Sequence, residues 1–410
     1  MYFYFFYLTF IAPFSIIIII WISIGRTPRS ERLKRIRLSK QWHNGSFTNV
    51  TPVPVMPSHD QVTHFAEKEN QLTPHTSGSS VPKHPIPVVK TDLNSLDSSS
   101  DVLIWLGHSS LFLQLGNLRI LVDPILTRSW PMRIFMPPFP GSGAFSPDDI
   151  PPIDFLLITH DHWDHLDYLT LKSLQNRIKN IVCPLGVGEH LEYWGLSKYI
   201  IHELDWKDSL SLNETVSLHC LPSQHFSGRF LKRNQTLWCS YLLEGPKTVF
   251  ISGDGGYASH FAEIGQAFPQ IDVAVLENGQ YNLRWPFIHL LPHQLPQAAD
   301  DLGAKRVLTY HHGKYRLSNH DWDAPLETAA LNSSGKQWTL LTPCIGETVH
   351  LDNPNETFPA WWRTDSTTTV ALQKRNTVEW EEGNNLLMGQ LNPSSSSSSS
   401  SSSITSSDRI

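Results

Sequence analysis

At 410 residues the chain is long enough for two or three average domains, yet 40% apolar and 17% charged residues, with 14 Trp and 29 Pro, describe one large folded domain with weakly folding ends. Thirty-two Lys and Arg against 38 Asp and Glu leave a net charge of −6, which gives nucleic acid no whole-chain attraction and argues against it as a partner. The four cysteines, Cys183, Cys220, Cys239 and Cys344, are too scattered for a disulfide framework or a thiolate zinc cluster, so any metal falls to carboxylates and the 20 His.

Met1 to Gly25 carries no charge, and a helix from Tyr2 to Ile24 at about 1.5 Å per residue is expected to span the ~30 Å hydrocarbon core of a bilayer. Basic residues follow that run (Arg26, Arg29, Arg32, Lys34, Arg35, Arg37 and Lys40), with Glu31 the single acid among them. The positive-inside rule then predicts a single-pass anchor, residues 1–25, with the rest of the chain in the cytoplasm. Residues 26–100 are basic and then Pro- and Ser-rich, and are expected to form an arm or linker that contributes little core. The tail from residue 363 to 410 is polar, with ten consecutive serines at Ser394 to Ser403, and is expected to be disordered. Between them, residues 101–362 alternate strand-like apolar runs such as DVLIWLG, LRILVDP, IDFLLITH, VFISGD and RVLTYHH with helical stretches at Asp167 to Asn176 and Pro292 to Leu302. That order predicts an α+β domain with a two-sheet core and outer helices.

The densest chemical signal is IDFLLITHDHWDHLD. The apolar run from Ile153 to Thr159 is a buried strand, at whose end His160, His162, Asp164 and His165 leave together. Residues two apart in an extended segment face the same side, so His160 and His162 can share one ion while Asp164 and His165, after a turn, reach a second. Imidazole and carboxylate donors fit zinc, with manganese or iron as alternatives.

The spacing His-x-His-x-Asp-His resembles the signature of the metallo-β-lactamase superfamily, whose αβ/βα four-layer sandwich carries a dinuclear metal site at one edge. The resemblance implies further ligands in order along the chain. CLPSQHFSGR supplies His225, VFISGDGGY supplies Asp254, and RVLTYHHGKY supplies His311 or His312. Matching YHHGKY to the family's His-Trp-Gly-x-Phe stretch makes His311 the ligand. WLGHSSLFLQLGNLRILVDPIL, THDHWDHLD, PSQHFSGR, SGDGGYASHFAEIG and LENGQYN look like the branch containing N-acylphosphatidylethanolamine phospholipase D and its bacterial relatives. A cousin, L-ascorbate-6-phosphate lactonase, shares the metal motif and an early Gly-His-Ser.

From that resemblance follow His160, His162 and His225 on a first divalent ion, Asp164, His165 and His311 on a second, and Asp254 on both. Asp164 and Asp254 are then catalytic as well as ligating, and His289 in WPFIHLLP is a proton donor or phosphate contact, or else a half-buried His at a helix start. The implied activity is phospholipase D-type hydrolysis of a membrane phospholipid, N-acylphosphatidylethanolamine, to N-acylethanolamine and phosphatidic acid, with the bilayer as partner. The alternatives are a lactonase-like hydrolase of a soluble substrate and a catalytically silent binding module. His108 in GHSS is either an orienting partner of a ligand or a turn residue. Gln280, Tyr281 and Arg284 line the cleft or form a capped loop, and Trp361 and Trp362 close the core or meet a membrane surface.

Overall fold

The computed structural model describes residues 12–58, 60–63, 76–127 and 136–363. The serine-rich tail and the first 11 residues of the expected anchor lie outside them. Two strands, β1 (Trp42–His43) and β2 (Ser46–Phe47), form a hairpin whose turn uses Asn44 and Gly45, both at positive φ. Positive φ at both central residues is what a two-residue turn needs to match strand twist, and Asn and Gly adopt it at least cost.

Fourteen further strands build two seven-stranded sheets. The first comprises β3 (Val102–Trp105), β4 (Leu111–Leu115), β5 (Leu118–Val122), β6 (Ile153–Leu157), β7 (Ile178–Pro184), β8 (Ile201–Leu204) and, from the far end of the domain, β16 (Thr348–His350). Its spatial order is β16-β3-β4-β5-β6-β7-β8. The second holds β9 (Ser209–Ser211), β10 (Ser217–Leu221), β11 (Ser240–Glu244), β12 (Val249–Ile251), β13 (Val273–Glu277), β14 (Arg306–Tyr310) and β15 (Thr339–Leu341), in order β15-β14-β13-β12-β11-β10-β9. In each sheet the pairings on one side are antiparallel and those on the other, from β5-β6 and from β12-β13 outward, are parallel.

Strands β3, β4, β13 and β14 are buried at every residue, which requires cover on both faces. On the second sheet Leu242, Phe250, Ala274, Leu276 and Val307 pack with Phe261 and Ile264 of the helix His260–Ala267 and with Leu295, Ala298, Ala299 and Leu302 of the helix Leu295–Leu302. Each fully buried Leu or Phe of this kind contributes about 2 kcal/mol. The two halves are joined where Tyr241 Oη donates to Ile158 O (2.9 Å) and the Cys239 amide to Thr159 O (3.0 Å). Trp361 and Trp362 are buried, with indole N–H groups on Thr342 O and Glu327, so they close the core.

The expected membrane span is not found among the described residues. Its described part is a 13-residue helix, Ala12–Ile24, which at 1.5 Å per residue reaches only about 20 Å. No helix among the described residues is long and apolar enough to cross a membrane. The charge argument for a single-pass anchor and a cytoplasmic catalytic domain is weakened for a physical reason, because three of the arginines it counted, Arg26, Arg32 and Arg35, are paired within the fold. Arg26 pairs with Glu189 (2.6 Å), and Arg32 bridges Glu189 (2.8 Å), Glu192 (2.7 Å) and Glu203 (2.8 Å). Arg35 donates to the Glu203 carbonyl. The helix end is docked as well, with Trp194 Nε1 on Ile22 O (2.8 Å) and the Arg229 guanidinium on Ser23 O (2.8 and 3.0 Å).

The arm also contributes more core than its composition predicts. Ile36, Phe47, Ile86 and Leu93 are buried, Val88 bridges Ile345, and Lys90 clamps Asp149 at 2.7 Å over the Phe145 ring. Single apolar residues spaced far apart carry no periodic signal, which is why the sequence reads as linker there.

Candidate metal centre

Strand β6 delivers Thr159 and His160 at its C-terminal end, and neighbouring β5 delivers Asp123, which sits at positive φ directly after Val122. Asp123 accepts from the Thr159 amide (2.8 Å) and hydroxyl (2.5 Å) and from His165 Nδ1 (2.8 Å). A carboxylate on one imidazole nitrogen fixes the tautomer and turns the other nitrogen inward. Asp123 therefore orients His165, a role that nothing in LVDP distinguishes from an ordinary turn aspartate.

Two donor groups result. In one, His162 Nδ1 lies 2.9 Å from His160 Nε2 and 3.1 Å from His225 Nε2. His225 is oriented by its Nδ1, which donates to Ile288 O at 2.8 Å. In the other, His311 Nε2 lies 3.3 Å from Asp164 Oδ2, with His165 Nε2 3.8 Å from the same oxygen. Asp254, in the turn after β12, stands between them: its Oδ2 is 3.2 Å from His165 Nε2 and His311 Nε2, 3.7 Å from His225 Nε2 and 3.8 Å from His160 Nε2. Within each of the sets His160-His162-His225-Asp254 and His108-Asp164-His165-His311 the donor atoms lie within 4.8 Å of one another, close enough to hold one ion.

The donor chemistry fits cations. Three imidazole nitrogens converge on one point, and a proton can satisfy only one approach between them. Asp254 Oδ1 is buried without a hydrogen-bond partner, which costs about 1–3 kcal/mol or more unless an ion meets it. Burial first, then the neighbouring imidazoles, push His160 well below its usual range; burial likewise depresses His225, and His162 falls to about 4 against the pull of nearby carboxylates. All three therefore present lone pairs at neutral pH. Burial works against the carboxylates, yet the imidazoles, His165 foremost, hold Asp164 and Asp254 well below the ordinary carboxylate range.

His108 Nε2 lies 2.9 Å from Asp164 Oδ2, and its carbonyl accepts from the His311 amide and Trp105 Nε1, so it orients two members of the site. His312 points away, against the Trp105 ring (4.9 Å). Gln280 is a brace rather than a cleft residue: its amide donates to His311 O (3.2 Å) and Tyr315 O (3.1 Å), while Oε1 accepts from Leu317 and Ser318. Tyr281 stacks on His320, and Arg284 is exposed. His289 lies at the edge, its ring parallel to that of His311 at 5.4 Å, with Nδ1 donating to Glu277 Oε2 (2.7 Å). Glu277 was not legible in LENGQYN; it ends β13, is fully buried and also accepts from the Leu290 amide (2.7 Å). Asp161 was equally hidden within HDHWDH, and it ties the metal loop to Gly228, Thr236 and His190.

Comparison with known proteins agrees with this geometry. A family profile described as a beta-lactamase superfamily domain matches residues 118–312. A protein of Mycobacterium tuberculosis described as uncharacterized is 33% identical over 337 residues, covering 79% of this chain and 88% of that one. The chain belongs to the metallo-β-lactamase superfamily. It is related to the N-acyl-phosphatidylethanolamine-hydrolyzing phospholipases D, of which the Caenorhabditis elegans enzyme 1 is 27% identical over 72% of this chain and 87% of its own. The mitochondrial enzyme of Saccharomyces cerevisiae is 30% identical over 54% of this chain and 50% of its own. Among solved structures, Igni18, a metallo hydrolase from Ignicoccus hospitalis, aligns with a TM-score of 0.47 at 18% identity over 61% of this chain and 98% of that one. This member of the superfamily is a metal-dependent hydrolase that uses divalent metal.

Beyond the site, Lys314 in the same loop as His311 is buried, its ammonium donating to Ile125 O (2.7 Å). Burial lowers it to about 8 from 10.5, with Asp167 opposing. The unfolded chain then binds more protons than the native one between those values, so the lysine's cost is full below pH 8 and is relieved as pH rises towards 10.5. The stability gap between Lys314→Met and wild type is expected to shrink by roughly 2 kcal/mol between pH 7 and pH 10. Urea unfolding of both proteins at each pH measures it, and a gap independent of pH would count against a buried charged lysine.

Proposed function

We propose that the protein is a phosphodiesterase of the phospholipase D type, cleaving N-acylphosphatidylethanolamine to N-acylethanolamine and phosphatidic acid. The observation that carries this reading is the single oxygen, Asp254 Oδ2, shared between two buried donor groups. His160, His162 and His225 would hold one ion, Asp164, His165 and His311 the other, with Asp254 on both; zinc fits the donors, and manganese or iron are the alternatives. Bound there, a divalent pair supplies a nucleophilic water at neutral pH and neutralises charge on a phosphoryl oxygen.

The chain's own residues do the rest. Asp123 and the Ile288 carbonyl fix the tautomers of His165 and His225, so that both present Nε2 inward. Asp164, braced by His108, can orient the attacking water as well as ligate. His289 is anchored at Nδ1 by the buried Glu277 carboxylate, which balances an imidazolium and leaves Nε2 to protonate the departing alkoxide. Support for a lipid comes from the names of the worm and yeast relatives and from exposed apolar side chains on segments hydrogen-bonded to the turn that carries His162 and Asp164. Trp163 Nε1 donates to Arg229 O, and the next residues, Phe230 and Leu231, are exposed, as is Trp21 two residues before Ser23.

The direct test offers the metal-loaded protein N-acylphosphatidylethanolamine in mixed micelles, beside a bis-aryl phosphodiester and a lactone. Release of N-acylethanolamine is expected; lactone opening without lipid cleavage would overturn the reading. His289→Ala is expected to lower kcat on the lipid about 10²- to 10³-fold with metal content unchanged. An unchanged kcat would remove His289 from the mechanism.

A further inference from the structure

The chain segment before β3 carries one contact that the catalytic domain's own motifs do not account for. Asn49, two residues after the β1-β2 hairpin, clasps the main chain of His225 from both sides. Its Oδ1 accepts from the His225 amide (3.0 Å), and its Nδ2 donates to the His225 carbonyl (2.9 Å). The same Oδ1 accepts from Trp238 Nε1 at 3.0 Å, which fixes the amide's orientation. The hairpin that presents Asn49 is itself seated on the loop after His225. Phe47 is fully buried, its amide donates to Asn234 O (2.8 Å), and Gln235 Nε2 donates to Gly45 O (3.1 Å). Asn234 in turn closes that loop by pairing its main chain and side chain with Ser227.

His225 differs from its fellow donors in how its main chain is held. His160 directly follows Thr159, which Asp123 grips from the neighbouring strand, and the His165 amide sits in a tight turn on His162 O. His225 lies beyond the end of β10, and its amide and carbonyl are both met by Asn49, a partner 176 residues away. We infer that Asn49 is a positioning residue for the metal centre, and that the arm bearing it is a working part of the site rather than a tether. With the main chain clamped by Asn49 and Nδ1 on Ile288 O, the His225 ring is held at both ends, and its Nε2 lies 3.1 Å from His162 Nδ1. Groups that orient a ligand typically govern metal affinity by 10- to 100-fold.

This inference rests on the dinuclear reading, and the test separates the two. The full-length chain is prepared as wild type, Asn49→Ala, Asn49→Asp and His225→Ala, stripped, and titrated with zinc against a chromophoric chelator and with cobalt(II) by its visible spectrum. His225→Ala is expected to lose one of two ions. Asn49→Ala is expected to bind that same ion about 10- to 100-fold more weakly, with an altered cobalt spectrum and the second ion unaffected. Asn49→Asp keeps the acceptor for the His225 and Trp238 N–H groups but sets an oxygen against the His225 carbonyl, so it weakens the same ion while retaining the side chain's size and guarding against a variant that fails to fold. Wild-type zinc affinity and cobalt spectrum in both Asn49 variants, with one ion lost in His225→Ala, would overturn the positioning role. Two ions retained in His225→Ala would overturn the metal assignment beneath it.

Discussion

Replacing Asp254 with alanine is expected to abolish hydrolysis, by more than about 10³-fold in kcat/KM, and to remove at least one metal ion. One oxygen of this residue faces His165 and His311 at 3.2 Å and His225 and His160 at 3.7 to 3.8 Å, so its loss strips charge from both donor groups at once. The four imidazoles are buried and cannot recruit bulk water as a substitute. Elemental analysis of the purified variant, together with its rate on N-acylphosphatidylethanolamine, checks the expectation. Two ions per chain with an undiminished rate would sink the assignment.

Arg229→Met is expected to cost about 3–5 kcal/mol in stability. The guanidinium is buried, its pKa lowered to about 10 by burial against the pull of Asp161, Asp167 and Asp164. It donates to three carbonyls from two regions: Ser23 at the end of the helix Ala12–Ile24, and Asp161 (2.7 Å) and Leu166 (2.8 Å) on either side of the metal-binding turn. Methionine fills similar volume over the Trp163 ring but satisfies none of them. Urea unfolding measures the loss, and limited proteolysis near Gly25 should accelerate because the helix end is released. A midpoint within error of wild type would show that these carbonyls find other donors.

Much of the centre was readable because the donors occupy short motifs at strand ends: His160, His162, Asp164 and His165 in one turn, Asp254 beside glycines, His311 after an apolar strand. The orienting groups were not. Asp123, Glu277 and Asn49 act across the sheet or across long stretches of chain, and a single Asp, Glu or Asn at a strand end looks the same in sequence whether or not a ligand leans on it. The N-terminal helix misled for a related reason. An apolar run followed by arginines describes a membrane anchor only if those arginines meet solvent or lipid, and here Glu189, Glu192 and Glu203, more than 150 positions away, take Arg26 and Arg32.

The matched layout of the two sheets, each antiparallel on one flank and parallel on the other, has a consequence for assembly. The first half supplies His160, His162, Asp164 and His165; the second supplies His225, Asp254 and His311, and neither set alone encloses an ion from all sides. Metal held by both sets would therefore act as a rivet between two halves that each form their own hydrogen-bond ladder. Chelation is expected to loosen the seam where Tyr241 and Cys239 reach across to Ile158 and Thr159 before it frays either sheet. Hydrogen exchange would register that as faster exchange along one plane through the molecule, with the strand interiors on both sides still protected.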